Sequence, residues 1–314
     1  MTSSSQLAFV FPGQGSQSVG MLAELAARFP AIEGTFAEAS HGAGIDLWRL
    51  AQHGPEEELN RTEHTQPALL AAGVAVWRAW RDAGGPQPAL LAGHSLGEYT
   101  ALVCADAIDL ADAAALVAER GRLMQQAVPA GAGAMAAVLG ADDAVIAQAC
   151  ADAAQGDVVA PVNFNSPGQT VIAGNVAAVD RALALLAERG VRKAIKLPVS
   201  VPSHCALMKP AADQLAERMR GIAWREPTIP VVQNADAATH QGAAVQEALV
   251  RQLYQPVRWT ECVQALQARG ARTLLECGPG KVLTGLAKRI DKALDARALG
   301  AAADFDAALA APAA

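Results

Sequence analysis

Gly93-His94-Ser95-Leu96-Gly97 stands between a short apolar run, Pro88 to Ala92, that reads as a buried strand and a helical pattern, Leu96 to Ala105. Few backbones accommodate a G-x-S-x-G in that place. The strand must turn sharply into the helix, the glycines let the two approach closely, and the serine hydroxyl is lifted clear of the chain. The start of the helix then offers amide N–H groups and a partial positive charge to an oxyanion. The same residues would serve as a serine N-cap with two packing glycines. The strand–turn–helix context favours the other reading, with Ser95 as a nucleophile.

The surrounding chain repeats the alternation. Leu7 to Phe11, stopped by Pro12-Gly13, reads as a buried strand, residues 20–39 show helical spacing, and Leu69, Leu70, Val74, Trp77 and Trp80 form a helical stripe over 66–82. Strand and helix in alternation predict an α/β fold with a parallel sheet covered on both faces. After Pro129 the pattern changes to strand 134–139, helix 142–154, strand 158–163, strand 169–173, helix 175–189 and strand 192–197. That order, βαββαβ, is ferredoxin-like. The expected architecture is therefore a large α/β-hydrolase-like domain (1–127 and 199–300) with an inserted small subdomain (128–198). The large domain resumes with a helix near 210–221, a strand at 229–232, a helix near 243–254, a strand at 273–276 and a helix near 280–294. The Ala-rich tail, 301–314, is expected to fray.

Composition narrows the function classes. Hydrophobic residues make up 52% of 314, which supports a sizeable core and excludes disorder over most of the length. The 25 basic and 31 acidic residues give −6 with no long basic run, against general nucleic-acid binding. The longest apolar run, Pro67 to Trp77, is too short to span a membrane, and Leu7 to Phe11 is too short for a signal peptide. Five scattered cysteines without a C-x-x-C pair point to reduced thiols and a cytoplasmic location. With no H-E-x-x-H and no Cys/His cluster at ligand spacing, no metal is expected.

A serine nucleophile needs a base. Of the six histidines, His94 adjoins Ser95 and is badly placed to face it, His41, His53 and His64 sit in loop-like surroundings, and His240 has no further mark. His204 lies in the rigid loop Pro198 to Cys205, where functional groups are commonly mounted, and follows Ser95 as in the hydrolase order. It is favoured over a satisfied loop histidine. Cys205 as a thiol nucleophile beside it is disfavoured, because adjacent residues rarely face each other. Phe11-Pro12-Gly13-Gln14-Gly15-Ser16-Gln17 mimics a dinucleotide loop but has Ser18 where a third glycine belongs. Its alternative is to bring Gln14 and backbone amides beside the Ser95 turn. Gly278-Pro279-Gly280-Lys281 lacks the rest of a phosphate-loop motif.

An ordered set of motifs resembles the malonyl-CoA:acyl carrier protein transacylase family of type II fatty-acid synthesis. It comprises Phe11 to Gln17, Thr65-Gln66-Pro67-Ala68, Gly93 to Tyr99, Glu119-Arg120-Gly121, Pro161 to Asn165, Ser200 to Cys205, Gln252 to Val257 and Glu276 to Lys281. The resemblance runs from about residue 6 to about 295.

The resemblance implies roles residue by residue. Ser95 would take the malonyl group as an ester in a ping-pong transfer, and His204 would be its base and later its acid. The main-chain carbonyl of Gln252 would orient the imidazole, so that no third carboxylate is needed. The amides of Gln14 and Leu96 would form an oxyanion hole. Arg120 would grip the malonyl carboxylate, since a guanidinium offers a bidentate fork, with Gln66, Met124 and Asn163 as pocket neighbours. Arg122, two residues on, would point elsewhere. The implied substrates are a coenzyme A thioester and a holo acyl carrier protein, with no cofactor and a monomeric state. For an acidic carrier, Arg189, Arg192, Lys193 and Lys196, or Lys288, Arg289 and Lys292, would be the basic docking patch. Competing readings are an acyltransferase of a polyketide or malonate pathway, a serine thioesterase, and a non-catalytic binding subunit.

Overall fold

The computed structural model describes residues 3–199 and 201–311; Ser200 of the Ser200-to-Cys205 motif and residues 312–314 of the tail lie outside the described residues. Apolar runs bounded by Gly and Pro become strands. In chain order these are β1 (Ser3–Phe11), β2 (Gln87–Gly93), β3 (Gly133–Leu139), β4 (Val159–Ser166), β5 (Gln169–Asn175), β6 (Lys193–Lys196), β7 (Val231–Gln233), β8 (Ala238–Thr239), β9 (Thr273–Glu276) and β10 (Asp295–Ala298).

One sheet has the order β10-β9-β1-β2-β7-β8. Its pairings are parallel except for β8, which returns antiparallel to β7. The expected parallel sheet is present and β8 adds an antiparallel edge to it: a tight turn with Ala237 at φ 54° suffices for an antiparallel return, whereas a parallel neighbour needs a crossover. Both faces are covered. Leu7, Phe9 and Phe11 of β1 enter a core with the helices Ala31–Ala43, Thr62–Asp82 and Leu110–Ala127, and Phe9 stands edge-on to Trp77 and Trp80 at 5.4 and 5.6 Å. Ala8 and Val10 enter a second core with Trp259, Val263 and Leu283. Register puts Phe11 beside Gly93 and Val10 beside Glu276, so the loops after β1, β2 and β9 emerge at one edge. Ligands of parallel α/β sheets bind at that edge.

The second sheet, order β4-β5-β3-β6 with antiparallel neighbours, carries the helices Asp143–Ala154 and Val176–Glu188. Those helices bury Ile146, Ala182 and Leu186 against Ala136, Val138 and Ile172. The opposite face packs Met135, Val162 and Val171 on Cys205. Phe164 N donates to Val257 O and Val257 N to Val162 O, at 2.9 and 2.8 Å, tying β4 to the segment that leads into the helix Trp259–Ala268.

Several expectations are corrected. The helix read over 20–39 is two, Ala23–Ala26 and Ala31–Ala43, separated at Pro30. The helix read over 280–294 ends at Ile290, and β10 follows. His41, His53 and His64 lie in helices rather than loops. The tail does not fray over its described part: Ala302–Ala310 is a helix with Phe305 fully buried, its ring 5.2 Å from Phe29 and 5.8 Å from Trp80. One aromatic anchor and the helix propensity of alanine are enough to hold it. No helix of the described residues is long and apolar enough to cross a membrane.

Candidate active site

Ser95 lies two residues past the end of β2 and has φ 51°. A side chain at that φ is uncommon and marks a strained, sharp turn. The flanking glycines are required by close approach. A Cβ on Gly93 would lie 1.9 Å from the Gly97 carbonyl carbon, and one on Gly97 would lie 2.0 Å from Phe11 O. The amides of Gly97, Glu98 and Tyr99 turn back onto the carbonyls of His94, Ser95 and Leu96 at 2.9, 3.1 and 3.0 Å, so the Leu96 amide stays outside this ladder. Gly13 brings the loop after β1 against the turn, since a Cβ there would be 2.6 Å from His94 O.

His204, also at positive φ (64°), is held by its amide on Leu253 O at 3.2 Å. Its Nε2 lies 2.8 Å from Ser95 Oγ, and its Nδ1 lies 2.7 Å from the main-chain oxygen of Gln252. A carbonyl only accepts, so Nδ1 carries the proton and Nε2 is left to accept one from the serine. Burial, then the nearby Arg120 charge, lowers the imidazole pKa to about 3, against the opposing pull of the Gln252 carbonyl. The ring is neutral and ready as a base at neutral pH.

Arg120 is fully buried on the helix Leu110–Ala127. Gly121 beside it allows that helix to touch the start of Thr62–Asp82, where a Cβ would meet Thr62 O at 2.6 Å. The guanidinium donates from Nη1 to Gln66 Oε1 (2.7 Å) and from Nη2 to Gln252 Oε1 (3.0 Å) and Ser95 Oγ (3.2 Å), with Tyr99 under its face at 5.4 Å. Its buried Nε has no partner. Gln66 Nε2 reaches Met124 Sδ at 3.5 Å. These groups open onto a cavity of about 470 Å³ whose wall includes Gln14, Gln66, Ser95, Leu96, Arg120, Met124, Asn163 and His204. Asn163 also brings a buried, unpartnered Oδ1. Arg122 points away and pairs with Glu119 on the surface.

The remaining motifs resolve into structure. His94 faces Asn165 Oδ1 at 2.8 Å rather than the serine. Cys205 is buried, donates to Pro202 O, and burial pushes its thiol up to about 11, which makes it inert. The helix after Gly278 to Lys281 receives its own anion: Glu276 accepts from the amides of Leu283 and Thr284 at 3.0 and 2.7 Å. Of the basic clusters, Arg189 pairs with Asp152 and Lys196 with Asp180. Sequence reasoning assigned no part to Glu98, Gln233 or Asn234, which lie buried directly behind the Ser95 turn. Only Glu98 stood inside a recognised motif.

A serine against a neutral, backbone-oriented imidazole, with a buried guanidinium within reach of the same hydroxyl, suits acyl transfer from a substrate bearing a carboxylate. Comparison with known proteins agrees in kind. The acyl transferase domain model matches residues 8–305. The chain is 61% identical to a malonyl CoA-acyl carrier protein transacylase of Salmonella typhimurium, over 97% of this chain and 99% of that one. It is 44% identical to one from Bacillus subtilis, over 92% of each chain. The solved malonyl-CoA:acyl carrier protein transacylase of Xanthomonas oryzae superposes with a TM-score of 0.97 at 68% identity, covering 98% of both chains. A malonyl-transacylase solved in complex with its holo type II PKS acyl-carrier protein superposes with a TM-score of 0.95 at 58% identity, covering 97% of this chain and 99% of that one.

Proposed function

The chain belongs to the malonyl-CoA:acyl carrier protein transacylase family and is an acyltransferase, and from that premise we propose that it moves malonyl from coenzyme A to the thiol of a carrier protein through an ester on Ser95. The observation that carries this reading is the Arg120 guanidinium 3.2 Å from Ser95 Oγ. In malonyl a single methylene separates the carboxylate from the thioester carbonyl, so a carboxylate on Arg120 brings that carbonyl to the serine. A plain thioesterase has no use for a buried cation there.

In the first half-reaction Ser95 Oγ attacks the thioester carbonyl as its proton passes to His204 Nε2. The amides of Gln14 and Leu96 take the charge that develops on the carbonyl oxygen. Collapse breaks the C–S bond, and the coenzyme A sulfur leaves with the proton from His204. In the second half-reaction the carrier's pantetheine thiol gives its proton to Nε2 and attacks the ester carbonyl, and the C–O bond to Ser95 breaks as Oγ recovers the proton. Gln66, Met124 and Asn163 shape the acyl pocket, and no cofactor enters any step. The large domain (1–127 and 199–300) is α/β-hydrolase-like, the small one (128–198) is ferredoxin-like, and the enzyme is a cytoplasmic monomer that presents a basic patch to its carrier. The neighbour solved with a type II PKS carrier supports keeping a polyketide carrier as the second reading.

Intact-protein mass after brief mixing with malonyl-CoA tests the proposal. A malonyl-sized gain absent from Ser95→Ala and discharged by holo carrier protein is expected. Steady release of coenzyme A without an adduct would replace it with a thioesterase.

A further inference from the structure

The wall behind Ser95 is a polar network in the interior. Glu98, in the first turn of the helix Gly97–Cys104, is fully buried, and its carboxylate accepts three hydrogen bonds. They come from Gln233 Nε2 at 2.8 Å, the Asn234 amide at 2.7 Å and Gln252 Nε2 at 3.1 Å. A buried polar group without partners is costly, and in its ionised form Glu98 meets each of these donors with an oxygen that cannot itself donate.

Gln252 is where the network meets the reacting groups. Its Nε2 also donates to Ser95 O at 2.8 Å, its Oε1 accepts from Arg120, and its main-chain oxygen holds His204. An amide has one donor end and one acceptor end, and its orientation follows from its neighbours. Because ionised Glu98 offers only acceptors, the Gln252 NH₂ must face it, and the carbonyl end must face the Arg120 fork. With that polarity reversed, an NH₂ would confront a guanidinium. Asn234, anchored through its own amide, grips the Ser95 turn from the other side: its Oδ1 accepts from Ser95 N at 2.8 Å and its Nδ2 donates to Gly93 O at 2.7 Å.

We propose that Glu98 is a positioning residue of the transfer: its buried carboxylate sets the polarity of the Gln252 amide, and through it holds both the Ser95 peptide and the Arg120 fork in register. Glu98 touches no substrate. It acts through Gln252, and a glutamine at position 98 would present a donor to donors while keeping the volume.

The inference rests on the transfer reading only for its acyl substrate, so the test uses two reagents. Glu98→Gln, Gln252→Met and the double variant are compared with wild type for folding by circular dichroism. Serine modification rates are then read by intact mass with malonyl-CoA and with a fluorophosphonate, which needs no carboxylate recognition. Glu98→Gln should slow both reagents roughly tenfold or more, and should slow the Gln252→Met background by much less than that factor. Wild-type rates in folded Glu98→Gln, or single-variant factors that multiply in the double, would overturn the proposal, because a merely structural role adds independently. If Glu98→Gln does not fold, Glu98→Asp keeps the charge but withdraws the acceptor by one methylene, and a wild-type rate there overturns it equally. A wild type labelled by fluorophosphonate but never charged by malonyl-CoA would sink the substrate reading and leave Glu98 to be judged on the labelling rates. A wild type modified by neither reagent has no nucleophile to position, and the proposal falls with it.

Discussion

His204 Nδ1 lies 2.7 Å from the main-chain oxygen of Gln252, and this carbonyl stands where many serine enzymes place a carboxylate. The tautomer is set without a buried negative charge, and no side-chain substitution removes the acceptor. The imidazole itself is the vulnerable part. His204→Ala is expected to slow acylation of Ser95 by roughly 10²–10⁴-fold, the usual contribution of a positioned base. Single-turnover charging with malonyl-CoA would show it, and a rate within a few-fold of wild type would remove His204 from the mechanism.

Arg120 and Arg122 are two residues apart on one helix and have opposite fates. Arg120 is fully buried, bonded to Gln66 and Gln252 in the cavity wall, while Arg122 lies at the surface with Glu119. Arg120→Ala removes the group proposed to meet the malonyl carboxylate, an expected loss of about 2–5 kcal/mol for a buried charged hydrogen-bonded contact. Malonyl charging should fall roughly 30-fold to several thousandfold, with acetyl charging kept or raised. Arg122→Ala should leave charging unchanged and stability within about 0.5 kcal/mol. Matching behaviour of the two variants would displace Arg120 from the clamp.

The Ser95 turn was legible because strand, glycines and helix each demand the same local geometry within eighteen residues. The base was less so. From residue types His204 was one histidine among six, and its partner is a main-chain atom, which has no sequence signature. The Glu98–Gln233–Asn234–Gln252 network was illegible for another reason: it joins positions more than 130 apart through hydrogen bonds that only packing creates. The two-residue β8 is too short to show a periodicity, and β10, Asp295-Ala296-Arg297-Ala298, lacks the apolar run that marked the equally short β9.

The tail carries a stability prediction. Phe305 is fully buried between Phe29 and Trp80, and Arg28 reaches Asp306 on the surface beside it. Truncating a buried phenylalanine costs about 3–5 kcal/mol. Phe305→Ala should therefore lower the denaturation midpoint clearly, whereas Asp306→Ala, at an exposed pair, should move it little. An unchanged midpoint in Phe305→Ala would mean that the last helix contributes nothing to the fold.

Protonation of the base links Arg120 to the pH profile. The His204 pKa is lowered to about 3 by burial first and by the Arg120 charge second. A lowered pKa means that the folded protein resists binding a proton there, so the neutral base is present at neutral pH and is lost only as the pH falls toward that value. The acid limb of kcat/KM assigned to His204 should accordingly lie well below the ordinary histidine range. Removing the cation relieves the second of these causes and raises the pKa, so in Arg120→Ala the limb should move to higher pH. Glu98 titrates in the opposite sense. Burial raises its carboxyl to about 7 against the pull of Gln233, Asn234, Gln252 and Arg120, with Tyr99 on its own helix and Cys262 across from it as the other titratable neighbours. The stability tied to its protonated form is full below the ordinary value of 4.5 and is lost as pH rises through about 7. Glu98→Gln should remove that slope from the melting profile while leaving the His204 limb where it is. A slope near neutrality that persists in the melting profile of Glu98→Gln would remove Glu98 as its source.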